Sequence, residues 1–266
     1  MWKPLGADVR EMMAEQVEYR ELLYQMTVRD LRLRYKQTVM GFGWAIFMPL
    51  LNTAIFSIIF MRVAPIDTGV PYPLFAYSGL LAWNFFASSL KFAVTSLTSN
   101  TNLVTKVYFP REVFPFSSVI VCLVDFAVGA LVLVALLLWY GVAPSGAILF
   151  LPVVILVQLS FTMAVALLLA MGNLFYRDVK YLFEVVVTVW MFATSVVYPV
   201  ELIGGKLGVL MHVNPMTPII EAYRDVLLFG RLPGPAFVVA GIVSLVLLAA
   251  CWLTFHRAEF QFAENI

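Results

Sequence analysis

The chain has 266 residues, of which 62% are hydrophobic and 12% charged, with a mean hydropathy of +0.92 and a formal net charge of +1. A water-soluble domain is about one quarter charged, so this composition excludes one and places the chain in a membrane. The near-zero net charge gives no electrostatic case for a nucleic-acid partner. Cys122 and Cys251, each inside an apolar run, read as small core hydrophobes rather than a disulfide or a metal pair.

Residues 1–38 read as a cytoplasmic segment lying at the membrane surface. They are too charged to hold the apolar core of a cleavable signal peptide. From Glu18 a polar stripe follows helical spacing through Glu21, Gln25, Arg29, Arg32 and Lys36, with Leu22, Leu23, Met26, Leu31 and Leu33 between. The pattern predicts an amphipathic helix, acidic early and basic late as the helix dipole favours. Two uses fit it: floating on anionic headgroups, or docking a cytoplasmic partner.

The junction that orients the chain follows. Arg29, Arg32, Arg34 and Lys36 precede the stretch from Val39 to Met61, which holds no Asp, Glu, Lys or Arg and is long enough to cross roughly 30 Å of hydrocarbon. Six spans are predicted, at about 39–61, 73–97, 114–140, 148–171, 181–200 and 236–255. Pro49 in the first is tolerated where neighbouring helices cover the carbonyl it frees. An even number of spans puts both termini on one side. Seven Lys and Arg precede the first span, while only Arg62, Lys206, Arg224 and Arg231 fall in the expected outer loops, which agrees with a cytoplasmic N-terminus. The expected division is a segment 1–38, a six-span domain 39–256 and a cytoplasmic tail 257–266.

Two loops are long. The inner one, 98–113, reads SNTNLVTKVYFPREVF, and the outer one is 201–235. In the outer loop Thr217 is expected to cap a short helix that starts at Pro218 and runs to about Leu228, too short to span and suited to a re-entrant or interfacial position. The fold class is thus an all-α integral membrane protein: six transmembrane helices, an N-terminal amphipathic interface helix, and short re-entrant outer helices before the last span.

Enzyme chemistry finds little support. His212 and His256 fall on opposite faces of the membrane, no HExxH or Cys/His cluster is present, and no histidine matches the depth of Ser78. Gly205-Lys206 lacks the glycine spacing of a P-loop, so ATP-driven work would need an ATPase on another chain. Asp125, near the middle of the third span, reads as a paired or water-facing group in preference to a proton-coupling one, and Glu184 as a snorkelling side chain near Lys180 or Arg177. Tyr72, Trp83, Trp139, Tyr140 and Tyr198 suit an aromatic belt. Phe42, Trp44, Phe85, Phe86, Trp190 and Phe192 suit either belt and core or a conduit whose flat faces meet sugar rings.

RDLRLRYKQTVMGFGWAIFMPL at 29–50, NLVTKVYFPREVFP at 102–115, NLFYRDVKYLFEVV at 173–186 and NPMTPIIEAYRDVLLFG at 214–230 together resemble the membrane subunit of type-2 ABC transporters that export bacterial cell-surface polysaccharide. The resemblance implies a homodimer in the bacterial cytoplasmic membrane, bound to two ATPase subunits that carry the ATP and Mg, with no cofactor on this chain. It implies that Arg29, Arg32, Lys36, Lys106, Arg111 and Glu112 contact the ATPase, the last two from a surface loop. The implied substrate is a lipid-linked glycan (O-antigen, capsule or teichoic acid) passing between the protomers. Drug and lipid exporters share this architecture. Two alternatives from other classes are a membrane-embedded glycan- or lipid-modifying enzyme and an ion-coupled carrier using Asp125.

Overall fold

The structure, a computed structural model, describes residues 5–36, 38–41, 43–63, 65–107, 109–143, 145–202, 211 and 213–262. Its helices are α1 Leu5–Glu18, α2 Arg20–Tyr35, α3 Gly43–Ile58, α4 Tyr72–Ser96, α5 Thr101–Lys106, α6 Val113–Trp139, α7 Leu151–Phe175, α8 Val179–Phe192, α9 Met216–Arg224 and α10 Pro235–Ala258. Among the described residues there is no strand.

Among the described residues four stretches are long and apolar enough to cross a membrane: Gly43–Val63, Val113–Trp139, Gly146–Phe175 and Pro235–Gln261. A fifth is reached if α4 and the following Thr98–Lys106, bent by 43°, count as one. The described residues thus supply four or five of the six expected spans. The expected span at 181–200 is in neither count. There α8 has only 14 residues, about 21 Å of helix, and turns follow it.

Those turns are buried, so their freed backbone groups need protein partners. Asn214 Nδ2 donates to the Ala193 carbonyl at 3.1 Å and to Thr194 Oγ1 at 2.7 Å. Arg224 donates to the Ser195 carbonyl at 2.7 Å and the Val196 carbonyl at 2.6 Å. Asn214 also opens α9, its Oδ1 accepting from the Met216 amide at 3.1 Å. This corrects the expected cap. The helix starts before Pro218, and Thr217 is a fully buried residue within it.

α4 sits at the centre, packed against α3, α6, α7, α8 and α9. Phe86 stacks on Phe161, with centroids 5.6 Å apart, and meets Trp190 edge-on at 5.1 Å. Gly79 is obligatory here: a Cβ would strike the Val196 carbonyl and the Arg224 guanidinium.

The helix expected from Glu18 to Lys36 is α2, and α1 precedes it, the two parted at Tyr19. α2 lies lengthwise along α6. Ser117 donates to Asp30 at 3.0 Å, Arg34 to Cys122 Sγ at 3.5 Å, and the Tyr35 hydroxyl to Asp125. Asp125 is twelve residues into α6, about 18 Å along its axis, so α2 climbs beside the bundle.

Candidate functional site

Where α2 ends, its last turn meets α3, α4 and α6 around a cavity of about 340 Å³. Arg34, Tyr35, Asp125, Trp44 and Phe85 line it, with Asn84 adding an amide. Arg34 Nη1 lies 2.6 Å from Asp125 Oδ2, and the Tyr35 hydroxyl donates to Oδ1, so both carboxylate oxygens are engaged. The Arg34 guanidinium also lies over the Phe92 ring, 4.1 Å from its centroid. Partial burial, and then the bond to Asp125, push the Tyr35 phenol above its usual pKa, so it stays a donor. Pro49 and Ala45 line the cavity as well. The proline ring removes the N–H that would have bonded the Ala45 carbonyl four residues earlier.

Of the six aromatics named from sequence, Trp44 and Phe85 reach this cavity. Phe86, 0% exposed, and the half-buried Trp190 instead pack together in the core, where Trp190 Nε1 donates to Asn214 Oδ1 at 3.0 Å. In this structure they fill the bundle rather than line a passage. Phe192 is exposed on α8, and Phe42 lies outside the described residues.

The charged set divides too. Arg32, Lys36 and Lys106 are exposed. Arg29 bridges α2 to the 98–113 loop, pairing with Asp30 at 2.8 Å and donating to Asn100 Oδ1 at 3.1 Å. Arg111 and Glu112 are not on a loop surface, as the sequence reading had them; they are 8% and 0% exposed. The reason is their setting, between Phe109-Pro110 and Val113-Phe114, all buried. Arg111 Nη2 turns in to the Val104 carbonyl at 3.3 Å, and Glu112 Oε1 accepts from Trp252 Nε1 at 3.3 Å.

Arg224 was missed from sequence, where it counted as an outer-loop cation. It is 3% exposed and lies over the Phe75 ring, 3.5 Å from the centroid. The signal was its spacing: Thr217, Ile220 and Arg224 fall on one helical stripe. It borders a second cavity of about 420 Å³ with Asp67, Glu221, Asp225 and Arg231.

The family model described as ABC-2 type transporter matches residues 21–228, from the start of α2 through the Arg224 helix. The chain belongs to the ABC-2 type transporter family. It is 32% identical over 259 residues to a Myxococcus xanthus protein named O-antigen export system permease protein RfbA, covering 96% of this chain and 99% of the relative. A Klebsiella pneumoniae protein of the same name is 30% identical over 246 residues, covering 92% of this chain and 94% of its own length. As an ABC-2 type transporter permease the chain is a multi-pass membrane protein and a transport subunit rather than an enzyme, working with a separate ATP-binding subunit.

Proposed function

We propose that this ABC-2 permease moves a lipid-linked cell-surface polysaccharide across the bacterial cytoplasmic membrane, as a homodimer with two ATP-binding subunits that hold the ATP and Mg. Both termini face the cytoplasm. The observation that carries this reading is the near end-to-end similarity to proteins named for O-antigen export. The chemistry of the α2–α3–α4–α6 cavity supports it. Trp44 and Phe85 offer flat faces to the apolar C–H side of a sugar ring, while Asn84 and Tyr35 offer partners for its hydroxyls. The exposed Arg32, Lys36 and Lys106 are among the cations available to an ATPase surface, and the partly buried Arg29 ties α2 to the 98–113 loop.

The test is a deletion strain complemented with this chain. Lipid-linked glycan is expected to accumulate on the cytoplasmic side without it and to reach the surface with it, provided the ATPase subunit is active. Unchanged surface glycan in the deletion strain overturns the substrate assignment. A purified complex whose ATPase is stimulated by drugs or phospholipids but not by lipid-linked glycan does so as well.

A further inference from the structure

The 98–113 loop and the far end of α10 enclose a cluster of acidic groups around an imidazole that the transport reading does not use. Glu112 precedes α6, His256 lies in the last turn of α10, Glu259 begins the turn Glu259–Gln261, and Glu15 reaches in from α1. Glu112 is 0%, Glu259 4% and His256 7% exposed. His256 Nδ1 lies 3.2 Å from Glu112 Oε1 and 3.8 Å from Glu15 Oε2. Trp252 Nε1 donates to Glu112 Oε1 at 3.3 Å, and the Arg111 backbone N–H donates to Glu259 Oε2 at 3.4 Å.

Hydrogen bonding does not complete this cluster. Glu112 Oε2 and Glu15 Oε2 are both buried without a hydrogen-bond partner, a costly state for carboxylates. Charge is unbalanced as well. Three carboxylates face His256, and the neighbouring Arg111 guanidinium spends its Nη2 on the Val104 carbonyl.

We propose that Glu112, His256 and Glu259 form a binding site for a divalent transition-metal ion, fastening the 98–113 loop to the end of the last span. One donor atom from each residue lies within 4.8 Å of the others. An imidazole nitrogen among carboxylate oxygens selects zinc and its neighbours over magnesium or calcium, which prefer oxygen alone. At metal–ligand bonds of about 2.0–2.1 Å, the 3.2 Å separation of His256 Nδ1 and Glu112 Oε1 subtends roughly 105°, close to tetrahedral. With Oε1 as the ligand, the Trp252 N–H is accepted on its second lone pair, and the unpartnered Oε2 is left available for a bidentate contact. That indole N–H and the Arg111 amide then orient the ligating carboxylates from outside the first layer of ligands. Glu15, whose Oε2 lies 3.8 Å from His256 Nδ1, is the nearest further carboxylate, and the ion offsets the local excess of negative charge.

The test uses the full-length chain with an affinity tag free of histidine, stripped with chelator in detergent and returned to micromolar free Zn²⁺. Elemental analysis is expected to find about one zinc per chain, with a rise in the thermal midpoint. Co²⁺ in its place is expected to give the visible bands of a four-coordinate site. Glu259→Gln and His256→Gln are expected to weaken Zn²⁺ binding at least tenfold and to abolish the midpoint rise, while His212→Gln, at the only other histidine, changes neither. If His256→Gln does not fold, Glu259→Gln decides, since its amide oxygen still accepts from Arg111. Wild-type protein that holds no more zinc than Glu259→Gln, or a midpoint unmoved by zinc, overturns the proposal.

Discussion

α3 and α4 are neighbours that follow opposite rules. The stretch Gly43–Val63 is apolar enough to count as a span unaided, yet only 17% of its apolar window is buried. α4 carries Ser78, Asn84, Ser89, Lys91 and Ser96 and counts as a span only together with Thr98–Lys106, yet 18 of its 25 residues are buried. Apolarity along these two neighbouring helices therefore does not track burial within the chain. Contact with protein calls for small residues and paired polar groups, because lipid tails leave no hydrophobic gain in helix association.

That contrast can be tested by substitution, with the largest effects expected near α4. Arg224→Met removes the donor for the Ser195 and Val196 carbonyls in a buried turn. It is expected to cost on the order of 3 kcal/mol, read as loss of unfolding stability in mild detergent. Wild-type stability would mean that other groups hold the 193–199 turn. Gly79→Ala follows, at about 2 kcal/mol, because the strike on the Val196 carbonyl outweighs the ~1 kcal/mol by which Ala is the better helix former. The same change at Gly43, where a Cβ meets Met40 side-chain atoms at 3.4 Å and 3.5 Å, is expected to be neutral or stabilising.

Arg34 and Asp125 form the intermediate case, their side chains 21% and 17% exposed. A double-mutant cycle with Arg34→Met and Asp125→Asn is expected to give a coupling of about 1 kcal/mol. Additive losses would show that the ion pair contributes nothing beyond its separate packing. The smallest effect belongs to α3: Ile58→Ala, at a side chain 63% exposed, is expected to change stability by less than about 0.5 kcal/mol.

Much of the fold was legible because the apolar runs at 39–61, 114–140, 148–171 and 236–255 each became a long helix. A pairing for Asp125 was legible as well, since a lone carboxylate in such a run needs a partner; that the partner would be Arg34 was not. The helix of Arg34 was legible from its spacing, but no local pattern marks its lengthwise packing on α6. The 181–200 run looked like a full crossing because its composition is apolar apart from Glu184 and a few small hydroxyl residues. What ends α8 early lies in Asn214 and Arg224, some twenty to thirty residues downstream. Arg111 and Glu112 were misplaced on a surface for a related reason: their charges are visible in sequence, whereas Trp252 and His256, which receive Glu112, are far along the chain.

The grip of α2 on α6 at Ser117, Cys122 and Asp125 has a mechanical consequence. A helix is stiff along its axis and transmits axial thrust like a push-rod. Pressure applied at its exposed lower side, around Arg32, reaches the mouth of the Trp44 cavity through Arg34 and Tyr35 with no hinge between to absorb it.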